Sequence, residues 1–192
     1  MIKKGNILKK FIPVLLTAVL VLAFLFISTG CVCPLFSMLE RFTGLNISTG
    51  NNIDAGVIED DLIYPGSLAL VQVNGEIDRI LELISQYGVV LSEDELKSLD
   101  QVPEKIKDQE VGATLYSTPD EKTDVVDYYT SLESGGWTLN DFGDAGGSLQ
   151  GSNVLIAQKG ETKQALMIAG TGSSSFIIFM DFDWEMLENG GQ

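Results

Sequence analysis

The chain has 192 residues, 45% of them hydrophobic and 20% charged, which suits one globular domain with accessory segments. Its 12 Lys and Arg face 27 Asp and Glu, a formal charge of −15 that repels phosphate backbones and excludes nucleic acid as an expected partner. There is no histidine, so the commonest general base and metal ligand is missing, and any chemistry falls to carboxylate, Lys, Tyr or Ser groups.

Residues 1–36 read as a leader or a membrane anchor. Lys3, Lys4, Lys9 and Lys10 form a basic start, and an uncharged stretch runs from Phe11 to Leu39. It includes Ser28-Thr29-Gly30-Cys31, which resembles the lipobox of secreted lipoproteins, where a small residue precedes the cysteine that is lipidated after cleavage. Gly30 and Cys31 fit that pattern and make Cys31 the expected lipid acceptor; Ser28 departs from it, because that position is usually apolar. The alternative is an uncleaved transmembrane helix, since about 20 apolar residues cross a bilayer. Lysines on the N-terminal side orient either version with the rest of the chain at the outer face of the cytoplasmic membrane. Past Cys31, eight Lys and Arg remain against 27 Asp and Glu, a charge of −19. Cys33 is the other cysteine; one intervening residue would strain a disulfide to Cys31, and two thiolates alone do not complete a zinc site.

Residues 37–61 read as a flexible tether, with Gly44, Gly50 and Gly56 among Asn, Ser and Thr, and with a glycosylation sequon at Asn46. Residues 62–187 read as a single domain and 188–192 as a disordered tail. Tyr64-Pro65-Gly66-Ser67 signals a turn, and Leu68 to Val73 a strand. Ile77, Ile80, Leu81 and Ile84 then fall at helical spacing, with Asn74 as the expected cap and Gly88 at the C-terminal end. A shorter helix is expected from Ser92 through Leu96 and Leu99, stopped by Pro103. Ala113 to Ser117 is the next strand. Thr118-Pro119-Asp120-Glu121 has the form of a helix start, and Val125, Tyr128, Tyr129 and Leu132 give that helix its apolar stripe before Gly135-Gly136 ends it. Strands follow at Trp137 to Asp141, Val154 to Gln158, Gln164 to Ala169 and Phe176 to Trp184, with a hairpin loop at Lys159-Gly160-Glu161. Successive short strands with tight turns predict an α+β fold: an antiparallel sheet of about four to six strands, with two or three helices packed on one face, after an N-terminal apolar helix.

The order Ile63-Tyr64-Pro65-Gly66-Ser67, Ala113-Thr114-Leu115-Tyr116-Ser117, Asp124-Val125-Val126-Asp127-Tyr128-Tyr129, Gly135-Gly136-Trp137 resembles a widespread group of small extracytoplasmic and lipoprotein domains. The resemblance spans Asp61 to Asp183. It implies the same location and fold and adds little on chemistry, because that family is largely without assigned activity. The 75–112 segment is longer than the usual link there, and reads either as an insertion with its own binding surface or as a longer cover for the sheet.

Asp181, Asp183 and Glu185 alternate with Phe182 and Trp184, which places three carboxylates on one strand face about 6.6 Å apart, too wide for one calcium ion unless the strand breaks. A solvated strand end accounts for them. The acids Glu93, Asp94 and Glu95 suit a helix start, and Gly170 to Ser175 lacks the Lys of a phosphate loop and reads as a hairpin turn. No catalytic set, cofactor site or metal site is expected. The tyrosine pair is assigned to core packing. The functional expectation is a membrane-anchored, non-enzymatic binding or interaction domain for an envelope protein or small ligand. The alternatives are a structural acidic envelope component and a divalent-cation-binding module.

Overall fold

The structure, a computed structural model, describes residues 44–54, 58–86, 107–144, 151–170 and 173–185. Seven strands form one sheet: β1 (Asn46–Thr49), β2 (Leu68–Glu76), β3 (Glu110–Thr118), β4 (Thr138–Asp144), β5 (Asn153–Lys159), β6 (Thr162–Gly170) and β7 (Ser175–Asp181). Their spatial order is β1-β2-β3-β7-β6-β5-β4, and every neighbouring pair is antiparallel. After β3 the chain passes through helix α2 (Lys122–Ser131) to the far edge, then returns as the meander β4 to β7. Helix α1 (Ile77–Gln86) continues β2 without a loop.

The expected α+β fold with two or three helices on one face is therefore corrected. The sheet dominates, and the one substantial helix on it is the 14-residue run formed by α2 with its 3-10 extension Leu132–Gly135. The undercounted strand is β1. Its four residues are too few to display an alternation, yet it pairs Asn46 through Thr49 with Asn74 through Val71, and Leu45 and Ile47 are buried. Much of the supposed tether thus belongs to the domain; Ile58 and Leu62 are buried as well. The expected leader (1–36) with Cys31, the helix at Ser92 and the tail (188–192) lie outside the described residues. Among the described residues no helix is long and apolar enough to cross a membrane.

Two boundaries differ for one reason. Asn74 does not cap α1, because β2 continues to Glu76 opposite Glu110, and the Ile77 N–H donates to Gln109 O at 2.9 Å. Thr118 likewise stays in the ladder, opposite Ser175, and α2 begins at Lys122 behind Glu121. In both places a strand partner distant in sequence holds the backbone that a local capping signal would have released.

Both sheet faces are apolar, which explains uninterrupted runs such as Ala165-Leu166-Met167-Ile168 and Ile177-Ile178-Phe179-Met180, all buried. One face presents Val71, Val73, Ala113, Leu115, Ile156, Met167 and Ile178. The other places Tyr116, Leu155, Ala157, Leu166, Ile168, Ile177 and Phe179 beneath Val125 and Tyr129 of α2, together with Ile58, Leu62, Tyr64 and Trp137. Ile77 and Ile80 of α1 are fully buried outside that cluster.

Candidate functional site

The face beneath α2 is apolar only along part of its strands. The pairings Tyr116↔Ile177 and Ile168↔Ile177 put a wholly apolar row under the helix. Two residues further along, the row reads Gln72, Thr114, Phe179, Leu166; two further again it reads Asn74, Gly112, Asp181. Side chains on one face recur every second residue, so polarity rises steadily with distance from the helix.

There the sheet face opens into a cleft of about 470 Å3, lined by these polar residues with Gln164, Ile58, Phe179 and Phe182, and by the exposed carboxylates Glu110, Asp181 and Asp183. Among the described residues that line it, none is Lys or Arg. The wall is preorganised by the Gln72 amide: its Nε2 donates to Asp54 O at 2.9 Å and its Oε1 accepts from Asp54 N at 3.0 Å, which fixes the segment after β1 against the sheet. The floor is open because residue 112 is glycine. A Cβ there would stand 2.9 Å from Asn74 Oδ1, so the missing methyl is what lets the Asn74 amide lie across the strand. Although Asp181 is exposed as a residue, partial desolvation raises its carboxyl above the ordinary value, an effect opposed by a backbone hydrogen bond at Phe182.

The three C-terminal carboxylates do not share one strand face. β7 ends at Asp181, Phe182 and Asp183 are irregular, and Trp184 and Glu185 start a helical turn. Asp181 and Asp183 reach the cleft and Glu185 does not. Among the described residues no three Asp, Glu or Cys side chains converge closely enough to hold a metal ion.

Of the residues that carried the family resemblance, Tyr64, Tyr128, Tyr129 and Trp137 assemble elsewhere, into a clamp between the segment before β2 and α2. Tyr129 donates to Leu62 O at 2.9 Å, and Tyr128 to Asp61 O at 2.8 Å. Tyr64 donates to Asp120 Oδ2 at 2.9 Å and packs edge-on against Tyr128, ring centroids 5.1 Å apart. Asp61 accepts from both Trp137 Nε1 and Lys159 Nζ, each at 2.9 Å. Those two donors, Trp137 first, hold the Asp61 carboxyl below its ordinary value, while burial and the Asp120 contact push Tyr64 up to about 12. Each of these groups is engaged in joining chain segments. The clamp is structural, and the tyrosine pair belongs to packing.

Of the residues singled out from sequence, Asn46 stands exposed on β1, and Cys31 lies outside the described residues. Gln72, Asn74, Thr114 and Gln164 were missed. Their signal was the placement of polar side chains at inward positions of otherwise apolar strands, which becomes readable only once the faces are known. Comparison with protein-family models, with curated proteins and with solved structures found no match.

Proposed function

We propose that this chain is a non-enzymatic binding module, held through its N-terminus at the outer face of the cytoplasmic membrane, whose recognition site is the cleft between Gln72, Asn74, Thr114, Gln164 and Asp181. The observation that carries this reading is the cleft itself. A buried sheet face turns polar within two residues of its core, at a volume within the range of small-ligand sites. The side chains there are amides, a hydroxyl and carboxylates on rigid strands, a set suited to hydrogen-bonded recognition.

The basic, apolar leader supports the location, with Cys31 as lipid acceptor. Mass spectrometry of the membrane-extracted N-terminus tests it: a diacylated Cys31 is expected, and an unmodified Met1 followed by an intact leader would replace the lipid anchor with a helical one. The binding reading is tested by melting the full chain, in non-ionic micelles, against a set of cationic, neutral and anionic small molecules. A ligand selective for the folded state raises the midpoint. The expected result is a shift in the wild type that disappears in Asn74→Phe, which fills the cleft from a partly buried position. Shifts of equal size in both proteins, or none in either, would overturn the assignment of this cleft.

A further inference from the structure

Resting on that reading of the cleft, we infer that Asp61 is its positioning residue: without lining the cleft, it holds the strap 58–64 so that Ile58 forms one of the cleft's apolar walls. The strap lies between β1 and β2 and belongs to no strand of the sheet. Its backbone is therefore set by a short turn and by side chains that reach it from elsewhere.

Two features meet in this stretch of chain. At one end the Gln72 amide of the cleft wall clasps Asp54 through both its N–H and its carbonyl. At the other, the 3-10 turn Asp60–Leu62 is closed by the Leu62 N–H, which donates to Glu59 O at 2.8 Å. Ile58 stands between them, 6% exposed, in the same buried cluster as Leu62 and Tyr64, and it lines the cleft. Asp54 and Ile58 are four residues apart in sequence, a length of chain that spans at most roughly 14 Å, so a displacement at the turn is carried to the cleft.

The turn is tied in two directions. Burial of Leu62 and the Tyr129 hydrogen bond to Leu62 O seat it against α2. Asp61 and Glu59 tie it to the β5–β6 hairpin, Asp61 by accepting from Lys159 Nζ and Glu59 Oε1 by accepting from Thr162 Oγ1 at 3.3 Å. Strand β6 also carries Gln164, another lining residue, so this tie sets Ile58 relative to Gln164. Asp61 is the stronger tie, because it also accepts from the indole N–H of Trp137, a residue only 3% exposed. The Lys159 contact is nearly half exposed on both sides and adds little by itself.

The test is amide hydrogen exchange of the full chain in non-ionic micelles, read residue by residue by NMR. The Asp54 N–H, bonded to Gln72 Oε1, reports on the strap at the cleft, and the Phe179 N–H in central strand β7 reports on opening of the sheet. In the wild type Asp54 is expected to exchange faster than Phe179, because the strap opens without the sheet. In Asp61→Ala the Asp54 rate is expected to rise about tenfold, the factor that one charge-assisted hydrogen bond supplies, because that opening breaks the Asp61 contacts. Asp61→Asn keeps an acceptor for Trp137 and is expected to restore most of the protection, and Lys159→Ala to change it less than Asp61→Ala does. An Asp54 rate unmoved in Asp61→Ala while Phe179 accelerates would confine Asp61 to overall stability and overturn the inference. Equal rates at Asp54 and Phe179 in the wild type would mean that the strap never opens apart from the sheet, and would overturn it as well. Exchange requires no ligand, so the cleft reading and this inference fail separately. Any molecule of the wider set that shifts the wild type is expected to bind Asp61→Ala a few-fold more weakly; unchanged affinity would leave the cleft standing and remove Asp61's hold on it.

Discussion

Replacing Tyr129 and Tyr128 separately by Phe makes the same chemical change at adjacent residues, with unequal consequences. The Tyr129 hydroxyl donates to Leu62 O at 2.9 Å, and both residues are 0% exposed, so no solvent can substitute for the lost donor. Removing one partner of a buried hydrogen bond costs about 1–3 kcal/mol, because the other keeps its desolvation penalty. Tyr128 donates to Asp61 O at 2.8 Å across an exposed contact that water can take over, so its loss should cost roughly 0.5 kcal/mol. For a domain of about 150 residues or more, each kcal/mol moves Tm by about 2–4 °C. Tyr129→Phe should thus lower Tm by roughly 2–12 °C, and Tyr128→Phe by about 1–2 °C. Urea denaturation of the full chain checks the pair, with equal slopes confirming that only stability changed. Equal losses in the two variants, or a larger loss at Tyr128, would refute the argument that burial of the acceptor sets the cost.

Further outcomes follow from the clamp and the cleft. Gly112→Ala should leave stability within about 1 kcal/mol, since the atom displaced is the end of the Asn74 side chain, while weakening cleft ligands measurably in titration. Gly136 closes α2 at φ +89, so Gly136→Ala should cost about 1–2 kcal/mol in urea unfolding. Asp61 titrates below its ordinary 3.8, so its contribution is present above that value and fades as pH falls through the lower folded value. Both partners of the Asp61–Lys159 pair are nearly half exposed, and Lys159→Ala should cost less than about 1 kcal/mol near neutrality, measured as a shift in urea midpoint. At the alkaline end, Tyr64 ionises near 12 in the fold against an ordinary 10.0, so its contribution is intact below pH 10 and is lost between those values. Tyr64→Phe should flatten that part of the stability–pH curve.

Local chemistry made several elements readable in advance. The Val125, Tyr129 stripe and the left-handed Gly136 marked α2 and its end, and Gly160 with Glu161 makes the two-residue β5–β6 hairpin between Lys159 and Thr162. Non-local pairing accounts for the failures. Asn74 and Thr118 look like caps in isolation, and only β3 and β7, which come later in the chain, keep them extended. β1 is held at the edge by β2 rather than by any pattern of its own. The cleft was hidden for a related reason. Gln72, Thr114 and Asp181 lie far apart in sequence, and their adjacency follows from the register across three strands. Of the carboxylates noticed in advance, Asp181 and Asp183 reached the cleft, but the break after β7 turned Glu185 elsewhere.

The position of β7 between β3 and β6 has a consequence for biosynthesis. It is the last of the described strands to leave the ribosome, yet it alone bridges the N-terminal strands to the meander. Until it emerges, β3 has a vacant edge and β6 another. Completion of the sheet is thereby deferred until β7 itself has been made.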